Sequence, residues 1–142
     1  AFAMGTNDTL YCLGDADKAL TGKKLDGNDN IDLFTEAGAM RWCIQRIMEE
    51  FPLCRVFVLT PIQTAMPDHN AKIEQQISSV MRKVAGGMSA QVIDCFHNSG
   101  ICEKFEVIGG TGKYLRDGLH PDVPGQTLEG AYASKEIRNN LF

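Results

Sequence analysis

The sequence predicts an α/β fold in which a parallel sheet is covered by helices on both faces. Short apolar runs alternate along the chain with longer segments whose apolar residues recur at helical spacing. The run at residues 55–61, Arg-Val-Phe-Val-Leu-Thr-Pro, shows no alternation with polar residues, which is typical of a strand buried on both faces. Strands that alternate with helices form parallel sheets, and their crossover connections are expected to be right-handed.

The first half of the chain supplies a strand, a long connection and a helix. The strand is predicted at residues 1–4, and it leads directly into the sequence Gly-Thr-Asn-Asp at residues 5–8. Residues 9–32 are rich in Gly, Asp, Asn and Lys, which indicates a long excursion over the surface. The first helix is predicted at residues 33–51, with Thr35 or Asp32 as its cap.

The second half continues the alternation. After the strand at residues 55–61, a helix is predicted at 69–85, where a pair of glycines ends it. A third strand at 90–94 is followed by a loop at 95–116, and the last helix covers residues 124–141. Because reactive loops gather at the carboxyl ends of parallel strands, we expect the segments that follow the strands to lie along the same rim of the sheet.

Composition bounds the function. The 142-residue chain is long enough for one domain or part of one, and 44% hydrophobic residues is ordinary for a protein with a buried core. The net charge of −4 and the scattered lysine and arginine residues argue against a nucleic-acid-binding surface, which needs a clustered basic field. No apolar run approaches the roughly 20 residues of a membrane span. The expected partners include neither nucleic acid nor a membrane span.

The cysteines do not indicate a metal site. Their odd number and irregular spacing fit neither a complete disulfide framework nor a zinc cluster. Cys95, His97 and Cys102 lack a fourth ligand nearby, so three alternatives stay open: a three-ligand zinc site, a Cys95–Cys102 disulfide, or buried free thiols. Residues 26–32 lack the glycine and glutamate of a calcium loop, which excludes an EF-hand. The five cysteines are Cys12, Cys43, Cys54, Cys95 and Cys102.

Two short motifs carry chemistry. In the Asp-Gly-Leu-His-Pro sequence at residues 117–121, a charged Asp117 that accepts the Nδ1 proton of His120 leaves the other ring nitrogen free to take a proton from a nucleophile. Asn7, on a loop that begins at Gly5, suits an oxyanion donor, because its amide can be held towards developing negative charge. His69 is interpreted as a capping or surface residue, and His97 as a loop residue without an acidic partner at short spacing.

In this order, and about 110 residues apart, the two motifs resemble blocks of the SGNH hydrolases, the GDSL lipase/esterase family. The resemblance implies a doubly wound parallel sheet flanked by helices, with a flavodoxin-like arrangement. It also implies an oxyanion hole with Asn7 and Gly5, and a catalytic pair formed by Asp117 and His120. No cofactor or metal is implied.

The nucleophilic serine of that family stands in a Gly-Asp-Ser block, which this sequence lacks. None of the serines present lies in a predicted strand-to-helix elbow, and Ser99 is the least implausible of them. The resemblance therefore implies that residues 1–142 are the C-terminal two-thirds of one hydrolase domain. The N-terminal strands and the serine would lie on a preceding segment, and this chain alone would be inactive. The serines are Ser78, Ser79, Ser89, Ser99 and Ser134.

The expected activity is hydrolysis of a carboxylic ester, with removal of an acetyl or other small acyl group from a carbohydrate as the favoured reaction. The expected partners are an acylated small molecule or polysaccharide and the N-terminal segment that carries the serine. The family resemblance favours an exported protein. A second hypothesis is a catalytically inactive module that keeps the fold and either binds carbohydrate or serves as a structural part of a virion. The missing serine supports that second hypothesis.

Overall fold

The computed structural model describes residues 1–21 and 31–141. Within them, three short strands form one parallel sheet in the order β1 (Phe2–Ala3), β2 (Phe57–Leu59) and β3 (Gln91–Ile93). The predicted alternation of parallel strands with helices is confirmed, although each strand is shorter than the apolar run that predicts it. β1 and β3 are the two edges of the sheet formed by these residues.

Helices precede and follow the strands, and their starts are set by capping side chains. Thr35 accepts a hydrogen bond from the backbone of Gly38, which starts the second helix three residues later than predicted. The third helix is capped by Asn70, so His69 is not the cap. In the described ranges the helices are α1 (Ala16–Thr21), α2 (Glu36–Glu50), α3 (Ala71–Gly87), α4 (Cys95–Asn98) and α5 (Val123–Leu141).

Two of these helices correct the sequence interpretation. The connection predicted as a surface excursion at residues 9–32 contains α1, whose Ala16 and Ala19 are buried in the core. The loop predicted at 95–116 begins with the single turn of α4, because the Asp94 side chain accepts the backbone N–H of His97 and caps it. Residues 22–30, which include most of the segment compared with a calcium loop, lie outside the described residues.

The core has two layers, one on each face of the sheet. Val58 of β2 packs into a cluster with residues of α1, α2 and α3, whereas its neighbours Phe57 and Leu59 pack on the opposite face with residues of α5. The prediction that this strand is buried on both faces is therefore confirmed. No helix in the described part of the chain is long and apolar enough to cross a membrane.

Candidate active site

A cleft of about 490 Å³ opens at the carboxyl ends of β1 and β2. Its walls are formed by residues 3–8 at the end of β1, residues 59–62 at the end of β2 and residues 119–121 of the turn that precedes α5, and Glu129 of α5 also faces it. The structure thus brings Gly5, Asn7 and His120 to one cleft, as expected for segments that follow parallel strands.

Asp117 and His120 form a hydrogen-bonded pair. The Oδ2 atom of Asp117 lies 2.7 Å from Nδ1 of His120, and its Oδ1 atom accepts the backbone N–H groups of Leu119 at 3.0 Å and His120 at 2.7 Å. Both side chains are about half exposed, and His120 lines the cleft. The carboxylate therefore fixes the ring by one contact and its own position by two others.

The electrostatics of the pair favour one tautomer of the ring. The backbone N–H of His120, followed by its imidazole, holds the pKa of the Asp117 carboxyl well below its usual range. Asp117 is thus a carboxylate at neutral pH, and a neutral imidazole beside it carries its proton on Nδ1. The unprotonated Nε2 can then accept a proton, which is the requirement for a general base.

The turn that carries the pair is held at both ends. Leu115, fully buried, forms an antiparallel bridge with Pro121, and the carbonyl of His120 accepts the backbone N–H of Arg116 at 3.0 Å. At the tip, Gly118 has a φ of +83°, a left-handed conformation that favours glycine. Its carbonyl accepts the N–H of Ala65 at 2.8 Å, which ties the turn to the loop after β2.

The loop after β1 places Asn7 on the cleft. Gly5 is buried with a φ of +101°, and an added Cβ would lie 2.9 Å from Ile77 and 3.0 Å from Met81 of α3. Its carbonyl accepts the N–H of Asp8 at 2.9 Å, which closes a tight turn around Asn7. Asn7 itself is exposed and lines the cleft, so its amide is accessible to a bound ester.

The comparisons with known proteins bear on the fold. No protein-family model and no curated protein matches the sequence. One crystal structure is similar, with a TM-score of 0.71, 19% sequence identity and coverage of 97% of this chain. This chain spans 63% of that one. The similarity supports an α/β fold. At this identity it carries no information about activity.

Behind the cleft, two buried carboxyl groups face Asp8, and the sequence interpretation missed both. Glu74 is fully buried in α3, and its burial, with a further contribution from the charge of Asp8, raises its pKa to about 8. Burial, together with a hydrogen bond to Asp8 and its charge, also raises the pKa of Glu36. The signal for Glu74 was present, because residue 74 shares the helical face of Ile77 and Met81.

A second pair of the same kind corrects the interpretation of His97. Asp94 stands three residues before it, and its Oδ2 atom lies 2.9 Å from Nδ1 of His97 and 3.1 Å from the guanidinium of Arg82. The prediction that His97 lacks an acidic partner at short spacing was therefore wrong. His97 does not line the cleft. His69 is half-buried, with its Nδ1 atom 3.9 Å from Glu74 Oε1.

The cysteines and serines also have defined places. All five cysteines are free thiols, so the alternative of a Cys95–Cys102 disulfide is not formed, and burial raises the pKa of the Cys95 thiol to about 12. Among the described residues, no group of three or more His, Cys, Asp and Glu side chains could hold a metal ion. Ser99 is buried and its hydroxyl accepts the N–H of Ile101 at 3.3 Å. No serine side chain lines the cleft.

Proposed function

We propose that this chain is the histidine-bearing part of a serine ester hydrolase of the SGNH type. The observation that carries the proposal is the contact of 2.7 Å between Asp117 and His120 on the cleft that Asn7 also lines. A carboxylate, a histidine with a free Nε2 and an amide donor are three of the four groups that an acyl-transfer site needs. The fourth group is the nucleophile.

The proposed reaction assigns one step to each group. His120 removes the proton from a serine hydroxyl as that oxygen attacks the ester carbonyl, and Asp117 stabilises the imidazolium that forms. The amide of Asn7, with a backbone contribution from Gly5, donates to the tetrahedral oxyanion. His120 then protonates the leaving alcohol, and the same steps with water as the attacking group release the acid. No cofactor takes part.

The nucleophile is proposed to come from protein outside residues 1–142. Two hydroxyl groups of the chain belong to residues that line the cleft, those of Thr6 and Thr60. The Thr60 hydroxyl is occupied, because it accepts the N–H of Phe96 at 3.0 Å and lies 3.3 Å from the Asp94 carboxylate. We therefore propose that the chain forms the C-terminal two-thirds of one doubly wound, flavodoxin-like domain. In that domain, further strands, one of them carrying the serine, pair with the edge of β1.

Covalent labelling tests this arrangement. The full-length protein is treated with a fluorophosphonate, which phosphonylates an activated serine, and the modified peptide is located by mass spectrometry. We expect one modified serine outside residues 1–142, with labelling abolished in His120→Ala and retained in His97→Ala, whose pair has the same spacing. Modification of Ser99, or equal labelling of both variants, would contradict the proposal. A full-length protein that is not labelled at all would favour the inactive carbohydrate-binding or virion module.

The favoured substrate is an acetyl or other small acyl ester of a carbohydrate. The cleft volume of about 490 Å³ lies within the usual range for small-molecule sites, which is roughly 300–1,000 Å³. Its wall combines apolar groups, such as Ile62 and Leu119, with a few polar ones, which suits a ligand that carries both an acyl group and hydroxyl groups.

A further inference from the structure

One carboxyl group on the cleft has no part in the proposed reaction. Glu129 lies on α5, two turns after the turn that carries His120, and it lines the same cleft. No hydrogen bond or ion pair engages its carboxyl group among the described residues. The side chain is half-buried, and burial raises its pKa above the ordinary value. A carboxyl group that is shielded from water and free of protein partners is available to a ligand.

The charges on the cleft wall restrict that ligand. The ionisable residues that line it are Asp8, His120 and Glu129, and no lysine or arginine lines it among the described residues. A phosphate or carboxylate on the substrate would approach two acidic groups without a compensating cation, which is unfavourable in a partly water-excluded site. Hydroxyl groups, in contrast, donate well to a carboxylate.

We propose that Glu129 is a specificity-determining residue that accepts hydrogen bonds from hydroxyl groups on the alcohol half of the ester. The cleft then selects neutral esters of polyhydroxylated alcohols, such as partly acetylated sugars. It discriminates against phospholipids and against acyl thioesters of phosphorylated carriers. The inference rests on the proposed ester hydrolase function and adds the chemical class of its substrate.

Kinetics of the full-length protein test the role of Glu129. The substrates are 4-nitrophenyl acetate, which lacks hydroxyl groups, acetylated xylotriose, and acetyl coenzyme A as an anionic thioester. Because a hydrogen bond to a charged group is lost, Glu129→Ala should raise KM for acetylated xylotriose by about 10- to 100-fold. Turnover of 4-nitrophenyl acetate should stay within about twofold. The isosteric Glu129→Gln should show a smaller loss of the same kind, and it guards against a folding defect of the alanine variant.

The matched control is Glu136→Gln, on the same helix but outside the cleft, which should leave all three substrates unchanged. A binding measurement separates the two proposals. Calorimetry with xylotriose, the deacetylated product, should show weaker binding to Glu129→Ala whether or not the protein hydrolyses esters. Unchanged KM and unchanged xylotriose binding in both variants would overturn the role of Glu129, as would efficient turnover of acetyl coenzyme A by the wild type. Failure of the wild type to hydrolyse 4-nitrophenyl acetate would contradict the hydrolase function itself.

Discussion

Replacing Gly118 with alanine should disturb the turn between Asp117 and His120 through two separate costs. Its φ of +83° is a left-handed conformation, which costs an alanine about 1–2 kcal/mol. The new Cβ would also lie 2.7 Å from the carbonyl oxygen of Val107, which accepts the N–H of Gly110 and is part of the backbone. Relieving such an overlap costs about 1–3 kcal/mol. The free energy of unfolding should fall by about 2–5 kcal/mol.

Gly109 offers a control for the backbone cost alone. Its φ is +65°, and an added Cβ would meet nothing within 4 Å, so Gly109→Ala should cost only about 1–2 kcal/mol. In α5, Gly130 is helical with nothing near its Cβ position, so Gly130→Ala should stabilise the protein by about 0.4–1 kcal/mol. The three variants therefore separate steric overlap, backbone conformation and chain entropy.

Urea denaturation of the full-length protein gives the three free energies, and ester hydrolysis gives the functional effect. Because Gly118 stands between Asp117 and His120, a shift of the turn displaces the imidazole, and a displacement of about 1 Å is enough to lower turnover by roughly 100-fold. Gly109→Ala should leave turnover near the wild-type rate. The reasoning is refuted if Gly118→Ala is no more destabilising than Gly109→Ala.

Three further outcomes are expected of the full-length protein. Asn7→Ala should lower turnover by about 100- to 1000-fold, because an oxyanion donor is lost, while unfolding stays unchanged because the side chain is exposed. Glu74→Gln should raise the free energy of unfolding by up to about 5 kcal/mol above pH 8, because a buried carboxylate is removed, and by little near pH 4. Ellman's reagent should modify the exposed Cys54 rapidly and the buried Cys95 only after unfolding.

The sign of the Glu74 effect follows from proton binding. Unfolded, the glutamate ionises near its ordinary pKa of 4.5, whereas in the folded protein it keeps its proton up to about pH 8. Between these values the folded state binds more protons than the unfolded state, so its stability falls as pH rises. Glu50→Gln, at an exposed position, should leave the pH dependence unchanged. A wild type and a Glu74→Gln variant that respond equally to pH would contradict the buried charge.

Matched controls complete the other two predictions. Asn98→Ala removes an exposed asparagine outside the cleft and should leave turnover near the wild-type rate. Turnover that is equally high in Asn7→Ala would remove the oxyanion role. Rapid modification of Cys95 in the folded protein would contradict the packing of β3 against α5.

The fold was readable because its determinants are local. Burial on both faces leaves a continuous apolar run such as residues 55–61, and helices leave apolar residues at regular spacing. The single turn of α4 was not predicted, because four residues are too few to show a period and its start depends on the capping side chain of Asp94. Similarly, α1 packs into the core through two alanines, which leave little hydrophobic signal in a polar stretch.

The same distinction holds for the site. The contact between Asp117 and His120 joins residues three apart in one turn, so the sequence predicts it. Glu129 and Glu74 were missed, because a charged residue on an amphipathic helix is expected to face solvent, and their burial depends on how the helices pack against the sheet. The pairing of Asp94 with His97 has the same spacing as the catalytic candidate, so spacing alone does not identify the functional pair. The position on the cleft distinguishes them.

The most direct test of the central claim compares the two histidines in one assay. In each pair the aspartate Oδ2 atom lies within 3 Å of Nδ1 of the histidine three residues later, but only His120 lines the cleft. Hydrolysis of 4-nitrophenyl acetate is measured for the full-length protein and for His120→Ala and His97→Ala. The account predicts that His120→Ala lowers kcat by about 10,000-fold or more, and that His97→Ala stays within about twofold of the wild type. Near-wild-type activity in His120→Ala would contradict it.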